Sequence, residues 1–198
     1  MKKYFLLVLL IVSFCGCSKR NSDELIMVTE AGFAPYEYYE GGEIVGVDID
    51  IANEIANYMG KELVVKDIDF DSIINELNSG KADFGAAGMS ITEERKKEVD
   101  FSVEYVTSNQ VVIVRNNSNI TMNDLDNKRI AVQLGSVADN YVNEHYKNAI
   151  IVEQKKYLSM VEALKANKVD VIVMDNLPAK EILKENSGLK MLDGYLFS

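Results

Sequence analysis

Cysteine and histidine are nearly missing from this chain of 198 residues, which holds two Cys and one His. So few of these side chains exclude a disulfide framework and a conventional Cys/His zinc site. There are only two Pro, and Gly numbers 12, which rules out a collagen-like or low-complexity chain. Positive charge is also in short supply. Against 31 Asp and Glu stand 21 Lys and Arg, a formal charge of −10, so no broad basic face is available for nucleic acid. Enzyme signatures are missing too: there is no Gly-x-x-x-x-Gly-Lys loop and no nucleophile elbow, and the one His, His145, reads as solvent-facing. What remains, 47% hydrophobic and 26% charged, is the balance of a folded chain large enough for one domain or two small ones.

Both cysteines fall in the first 17 residues. Met1-Lys2-Lys3 is a basic start, Tyr4 to Phe14 an apolar run broken only by Ser13, and Cys15-Gly16-Cys17 ends it. The run is too short for a permanent span and has the layout of a secretory signal. Gly16-Cys17 resembles the bacterial lipoprotein processing site. That resemblance implies a signal peptide over 1–16, lipidation of Cys17, a polar tether over 17–24, and an exported protein held on the outer face of a membrane or in the periplasm.

From Leu25 the chain alternates. Leu25–Thr29 reads as a strand, Glu30–Pro35 as a loop, and Gly41-Gly42 as the turn of a hairpin between Tyr36–Tyr39 and Glu43–Val47. Ile51, Ala52, Ile55, Ala56 and Met59 fall at helical spacing, with Gly60 placed as a C-cap. Leu63–Val65 is a strand, Asp71–Asn78 an amphipathic helix and Phe84–Ala87 a strand. This alternation implies an α/β sheet covered on both faces. The second half repeats part of it. Residues 70–88 align without gaps to 157–175, with Ser, Leu, Lys and Asp coinciding at 72/159, 77/164, 81/168 and 83/170. Gly80 and Asn167, both tolerant of a left-handed backbone, end the two helices. Leu25–Thr29 and Arg129–Val132 each open a half, giving two lobes of related architecture, 25–108 and 109–198, joined near Val103–Val114. Ligands of open α/β sheets bind beyond the carboxyl ends of strands. That rule brings together Glu30–Phe33, Gly88–Ser90, Gly135–Ser136 and Asp175.

Phe33-Ala-Pro-Tyr-Glu-Tyr, then Gly46-Val-Asp-Ile-Asp-Ile-Ala, resembles the opening motif of the solute-binding proteins of polar-amino-acid ABC transporters, family 3. Gly80-Lys-Ala-Asp-Phe-Gly-Ala-Ala-Gly-Met-Ser-Ile-Thr-Glu-Glu-Arg95-Lys-Lys, with Val99-Asp-Phe-Ser102, resembles the family's most diagnostic stretch. The resemblance implies a two-lobed, type II periplasmic-binding-protein-like α/β clamshell. Family members continue past Gly194–Ser198 with a second hinge strand and C-terminal helices, so the expectation is a C-terminally truncated clamshell whose first lobe exposes apolar surface.

An amino acid carries a carboxylate and an ammonium on one carbon, and each needs a charge-assisted partner once desolvated. By resemblance Arg95 forks onto the carboxylate, aided by backbone N–H groups at Gly135-Ser136-Val137, and Asp175 takes the ammonium with the Gly88 carbonyl and Ser90 hydroxyl. Phe33 and Phe70 match the two aromatic walls, Glu30 faces the side-chain end or caps a turn, and Gln133 is a second selectivity candidate. Met174 lines the pocket or packs; Lys96 and Lys97 are surface charge. The implied function is capture of an amino acid, polar or basic side chains favoured, for an ABC permease and its ATPase, without metal or other cofactor. The alternatives are a ligand-sensing receptor lobe or, behind it, an enzyme on the same fold.

Overall fold

A computed structural model describes residues 21–197. The expected signal peptide over 1–16, the lipidation expected at Cys17 and residues 17–20 of the expected tether lie outside the described residues. Glu24, read from the sequence as the end of a tether, already pairs with Glu62, and the Glu62 amide donates to the Asp23 carbonyl.

Strand β1 (Glu24–Thr29) is buried at all but its first residue and lies between β5 (Glu62–Asp67) and β6 (Phe84–Gly85), both parallel to it. The segment read as a loop after β1 holds a two-residue strand, β2 (Gly32–Phe33), which pairs with the hairpin β3 (Glu37–Glu40) and β4 (Glu43–Val45). Gly41 and Gly42, both at positive φ, form its turn, the backbone that matches the twist of a two-residue hairpin. Helix α1 (Val47–Met59) ends on left-handed Gly60 as expected. Its buried face is narrower than the sequence spacing implied. Ile49, Ala52 and Ala56 pack inward, whereas Ile51, Ile55 and Met59 are exposed together with Tyr58. A sheet of three strands covers only one stripe of the helix. A shorter helix, α2 (Ile73–Asn78), follows between β5 and β6.

The second sheet runs β11 (Leu189–Met191), β7 (Gln110–Arg115), β10 (Val171–Asp175), β8 (Arg129–Gln133), β9 (Ile150–Gln154). Helices α3 (Val137–His145) and α4 (Tyr157–Lys165) are the crossovers of β8-α3-β9-α4-β10, and α5 (Asn176–Glu185) follows β10. β7 is antiparallel to β10. Alternate residues of β7 and β10 serve opposite faces: Val111, Ile113, Ile172 and Met174 pack with α4, and Val112, Val114, Val171 and Val173 with α3. Continuous β-branched runs are what burial on both faces requires. Met174 is thus a packing residue, 1% exposed. Of the connection read near Val103–Val114, residues 110–114 belong to β7, which lies inside the second sheet between β11 and β10.

The internal repeat has a shared geometry. Gly80 and Asn167 adopt φ of 70° and 58°. Each donates to the carbonyl of the matched leucine, Leu77 or Leu164. The matched aspartates do one job. Asp83 Oδ2 accepts the Ile26 amide of β1 at 2.7 Å, and Asp170 Oδ2 accepts the Arg129 amide of β8 at 2.9 Å. In return each aspartate's own amide donates to the carbonyl of that strand residue. Asp170 also holds the Arg129 guanidinium at 2.7 Å, which keeps its carboxyl below the usual range.

Candidate functional site

The carboxyl ends of four strands converge where the two sheets face each other. β1 delivers Glu30, β6 leads to Gly88, β8 ends on Gln133, and β10 ends on Asp175. The apolar cluster beneath them crosses from one half to the other, joining Phe33 and Tyr36 to Tyr157, Met160, Val111 and Met174.

Arg95, 9% exposed, sits in a short helical turn and reaches both halves. Nη1 donates to the Ser90 carbonyl at 2.6 Å and Nη2 to the Gly135 carbonyl at 3.0 Å, while Cζ lies 5.5 Å from the Phe70 ring centroid. Burial lowers the Arg95 pKa, opposed by the Asp175 charge. Asp175 shows the converse: burial raises its pKa, and the Ser108 and Gln110 side chains and the Arg95 charge oppose the rise. Two of the three amides expected to serve as anion donors are already engaged. Gly135 N–H donates to Asp139 at 2.9 Å and Ser136 N–H to the Gln133 carbonyl at 3.1 Å. The Ser136 hydroxyl caps α3 by accepting the Asp139 amide. Val137, the first helical residue, keeps its N–H outside the helical ladder. Gly88 is pressed against Phe33. A Cβ built on it would stand 2.7 Å from the ring, and its φ of 53° is left-handed.

The other end of the site is built on Glu30, 1% exposed. Gln133 Nε2 donates to its Oε2 at 3.2 Å, and Lys156 Nζ lies 2.9 Å from its Oε1. Lys156 also pairs with Asp67 at 3.1 Å, and Lys155 with Asp69 at 2.6 Å, so three ion pairs cross between the halves. Phe33 and Phe70 belong to separate apolar clusters, and the Phe33 ring stacks on Tyr157, with centroids 4.9 Å apart, and on Tyr36.

Sequence reasoning missed Lys156, Tyr157, Asp48 and Tyr105. One signal for Tyr157 was present, since the internal repeat sets it opposite Phe70. Asp48, fully buried, accepts the Gly88 amide at 3.0 Å and the Tyr105 hydroxyl at 2.9 Å, tying the connection between the halves to the Gly88 loop. Beside Asp48 lies Glu37, also fully buried, whose carboxyl is pushed well above its ordinary value of 4.5 by burial and then by the Asp48 charge. The native state therefore keeps a proton that the unfolded chain releases above pH 4.5, and stability falls as pH rises from there toward the raised native value. Glu37→Gln is expected to gain stability over the parent at pH 8 compared with pH 5 in urea unfolding. A constant difference between the two pH values would refute a neutral Glu37.

His145, Lys96 and Lys97 are exposed, as expected. Among the described residues no group of three His, Cys, Asp or Glu side chains could hold a metal, and no helix is long and apolar enough to cross a membrane. The site sets a cation and an anion, Arg95 and Asp175, around one junction, with a charged far end at Glu30. Such an arrangement can hold a small molecule carrying both a carboxylate and an ammonium.

The model of the bacterial extracellular solute-binding proteins, family 3, matches residues 25–156. The arginine-binding extracellular protein ArtP of Bacillus subtilis is 35% identical over 202 residues, covering 96% of this chain and 79% of that protein. The ABC transporter arginine-binding protein 1 of Escherichia coli is 32% identical, covering 96% of this chain and 77% of that protein. Among solved structures, holo ArgBP from T. maritima superposes with a TM-score of 0.85 at 37% identity, covering 88% of this chain and 78% of that one.

Proposed function

The chain belongs to the bacterial extracellular solute-binding proteins, family 3, two-lobed α/β clamshells that bind and do not catalyse. From that premise we propose that it captures a free amino acid with a polar or basic side chain and delivers it to an ABC permease driven by an ATPase. In this reading residues 25–108 and 109–198 are the lobes that close on the ligand. Arg95 and the Val137 amide take the carboxylate, and Asp175, the Gly88 carbonyl and the Ser90 hydroxyl take the ammonium. Phe33 and Phe70 flank the side chain, Glu30 and Gln133 read its end, and Ser136 shapes the β8–α3 loop that meets Arg95. The observation that carries the proposal is the buried Arg95 guanidinium, bonded to a carbonyl of each half within the field of Asp175.

A thermal-shift screen of the purified protein against the common amino acids tests it. A ligand that binds only the native state, present at 100 times its Kd, adds about 2.7 kcal/mol of stability. A clear rise in Tm with one or a few amino acids is expected, and no shift with any at millimolar concentration would refute the reading. We further propose that Cys17 carries a lipid that holds the protein at the membrane. Cys17→Ala is then expected to be released or left unprocessed, and unchanged size and membrane retention would refute the anchor.

A further inference from the structure

Glu30 is the acidic residue at the side-chain end of the cleft, yet its charge is already answered from within the molecule. Lys156 precedes Tyr157, whose ring stacks on Phe33, so the lysine is carried to the cleft by the same element that closes over the aromatic wall. Its Nζ lies between Glu30 Oε1, at 2.9 Å, and Asp67 Oδ1, at 3.1 Å. Asp67 is anchored in turn, accepting the Ala31 amide at 3.0 Å and the Tyr39 hydroxyl at 3.3 Å. Gln133 occupies the other oxygen of Glu30. The Lys156 side chain is 38% exposed and opens on a groove of about 530 Å³ that it lines with Asp67, Asp69, Ser72 and Glu76.

From this geometry we infer that Lys156 is the resident counter-ion of Glu30 and sets how strongly the cleft prefers a cationic over a neutral ligand side chain. The inference rests on the amino-acid-binding reading above and deepens it. A guanidinium or ammonium arriving at Glu30 shares a buried carboxylate with a like charge already in contact, and at such separations that repulsion is large outside bulk water. A neutral amide meets no such opposition and can hydrogen-bond to the compensated pair. With Lys156 gone, Glu30 would stand buried and unpaired, and a ligand cation would become its natural partner. Selectivity is a difference between two affinities, so a like charge set against one ligand class acts on it directly.

The experiment measures Kd for L-arginine and L-glutamine by calorimetry on the full protein and on Lys156→Met, Lys156→Gln and Lys156→Arg. The ratio of glutamine Kd to arginine Kd is expected to rise by about tenfold or more in the Met and Gln variants. It should stay near the parent value in the Arg variant, which retains the charge. A ratio unchanged in both neutral variants would overturn the inference, whatever happens to overall affinity, because a merely structural lysine would weaken both ligands alike. Should the Met variant fail to fold, the Gln variant carries the same readout. If the parent protein binds no amino acid at all, the amino-acid-binding reading falls, and this one falls with it; binding with an unmoved ratio removes only the role of Lys156.

Discussion

Arg95→Ala is expected to lose amino-acid affinity by about 30-fold to several thousand-fold, the equivalent of about 2–5 kcal/mol for stranding a buried charged group of the ligand without its partner. The guanidinium is a planar fork, with Nη1 and Nη2 spent on the Ser90 and Gly135 carbonyls at 2.6 and 3.0 Å and N–H groups left over for an anion. Because those carbonyls belong to opposite halves, the same side chain orients the fork and links the lobes. Arg95→Lys keeps the charge but can neither bond both carbonyls in that plane nor present two parallel donors, so it is expected to behave much more like the Ala variant than like the parent. Calorimetric titration gives the affinity, and thermal unfolding without ligand confirms that each variant is folded. Near-parental affinity in a folded Arg95→Ala protein would refute the assignment of Arg95 to the ligand carboxylate.

Gly46→Ala is expected to produce the largest loss of stability of any single added methyl group in the first half, on the order of 4 kcal/mol when backbone strain and steric overlap act together. Gly46 has a φ of 127°, a conformation that L side chains rarely adopt. A Cβ there would stand 2.2 Å from the Tyr36 carbonyl oxygen, 2.6 Å from its carbon and 2.8 Å from the Pro35 oxygen, all of them backbone atoms. Those atoms cannot step aside, since the Pro35 and Tyr36 carbonyls accept the Val47 and Asp48 amides at 3.1 and 2.9 Å and so fasten the start of α1 to the hairpin. Moving Asp48 would also release Gly88, so affinity should fall with stability. Gly60→Ala is the control: φ there is 64°, but the added Cβ meets nothing within 4 Å. Its cost should be only the left-handed strain, about 1–2 kcal/mol. Equal losses for the two variants in urea unfolding would refute the steric argument at Gly46.

Much of the fold was legible because it is written in short-range pattern. The β-branched runs at Leu25–Thr29 and Arg129–Val132, the Gly41-Gly42 turn and the Gly60 cap were all read from neighbouring residues and all stand where expected. The clearest case is the repeat. Its coincident aspartates, Asp83 and Asp170, each accept an amide of the strand that opens their half. For α1 the spacing located the helix but not its buried stripe: Ile51, Ile55 and Met59 follow helical spacing yet face outward. Spacing states that one face is apolar; it does not state whether a neighbour is wide enough to cover it.

The site divides along the same line. The sequence by itself placed Gly88, Ser90 and Asp175 near strand ends, since the rule that ligands gather there needs only the order of elements, whereas Arg95 was reached only through the family resemblance. It gave no sign that the Gly135 and Ser136 amides are spent within their own loop, because hydrogen-bond accounting requires coordinates. Tertiary structure alone decided that Lys156 answers Glu30, that Tyr157 stacks on Phe33, and that Tyr105 holds Asp48. These partners lie far apart in the chain, 57 residues for Tyr105 and Asp48 and 126 for Lys156 and Glu30. No periodicity connects such positions. They meet because two sheets, each specified by its own local pattern, bring their strand ends together, and a buried charge then takes whichever opposite charge the packing sets within reach.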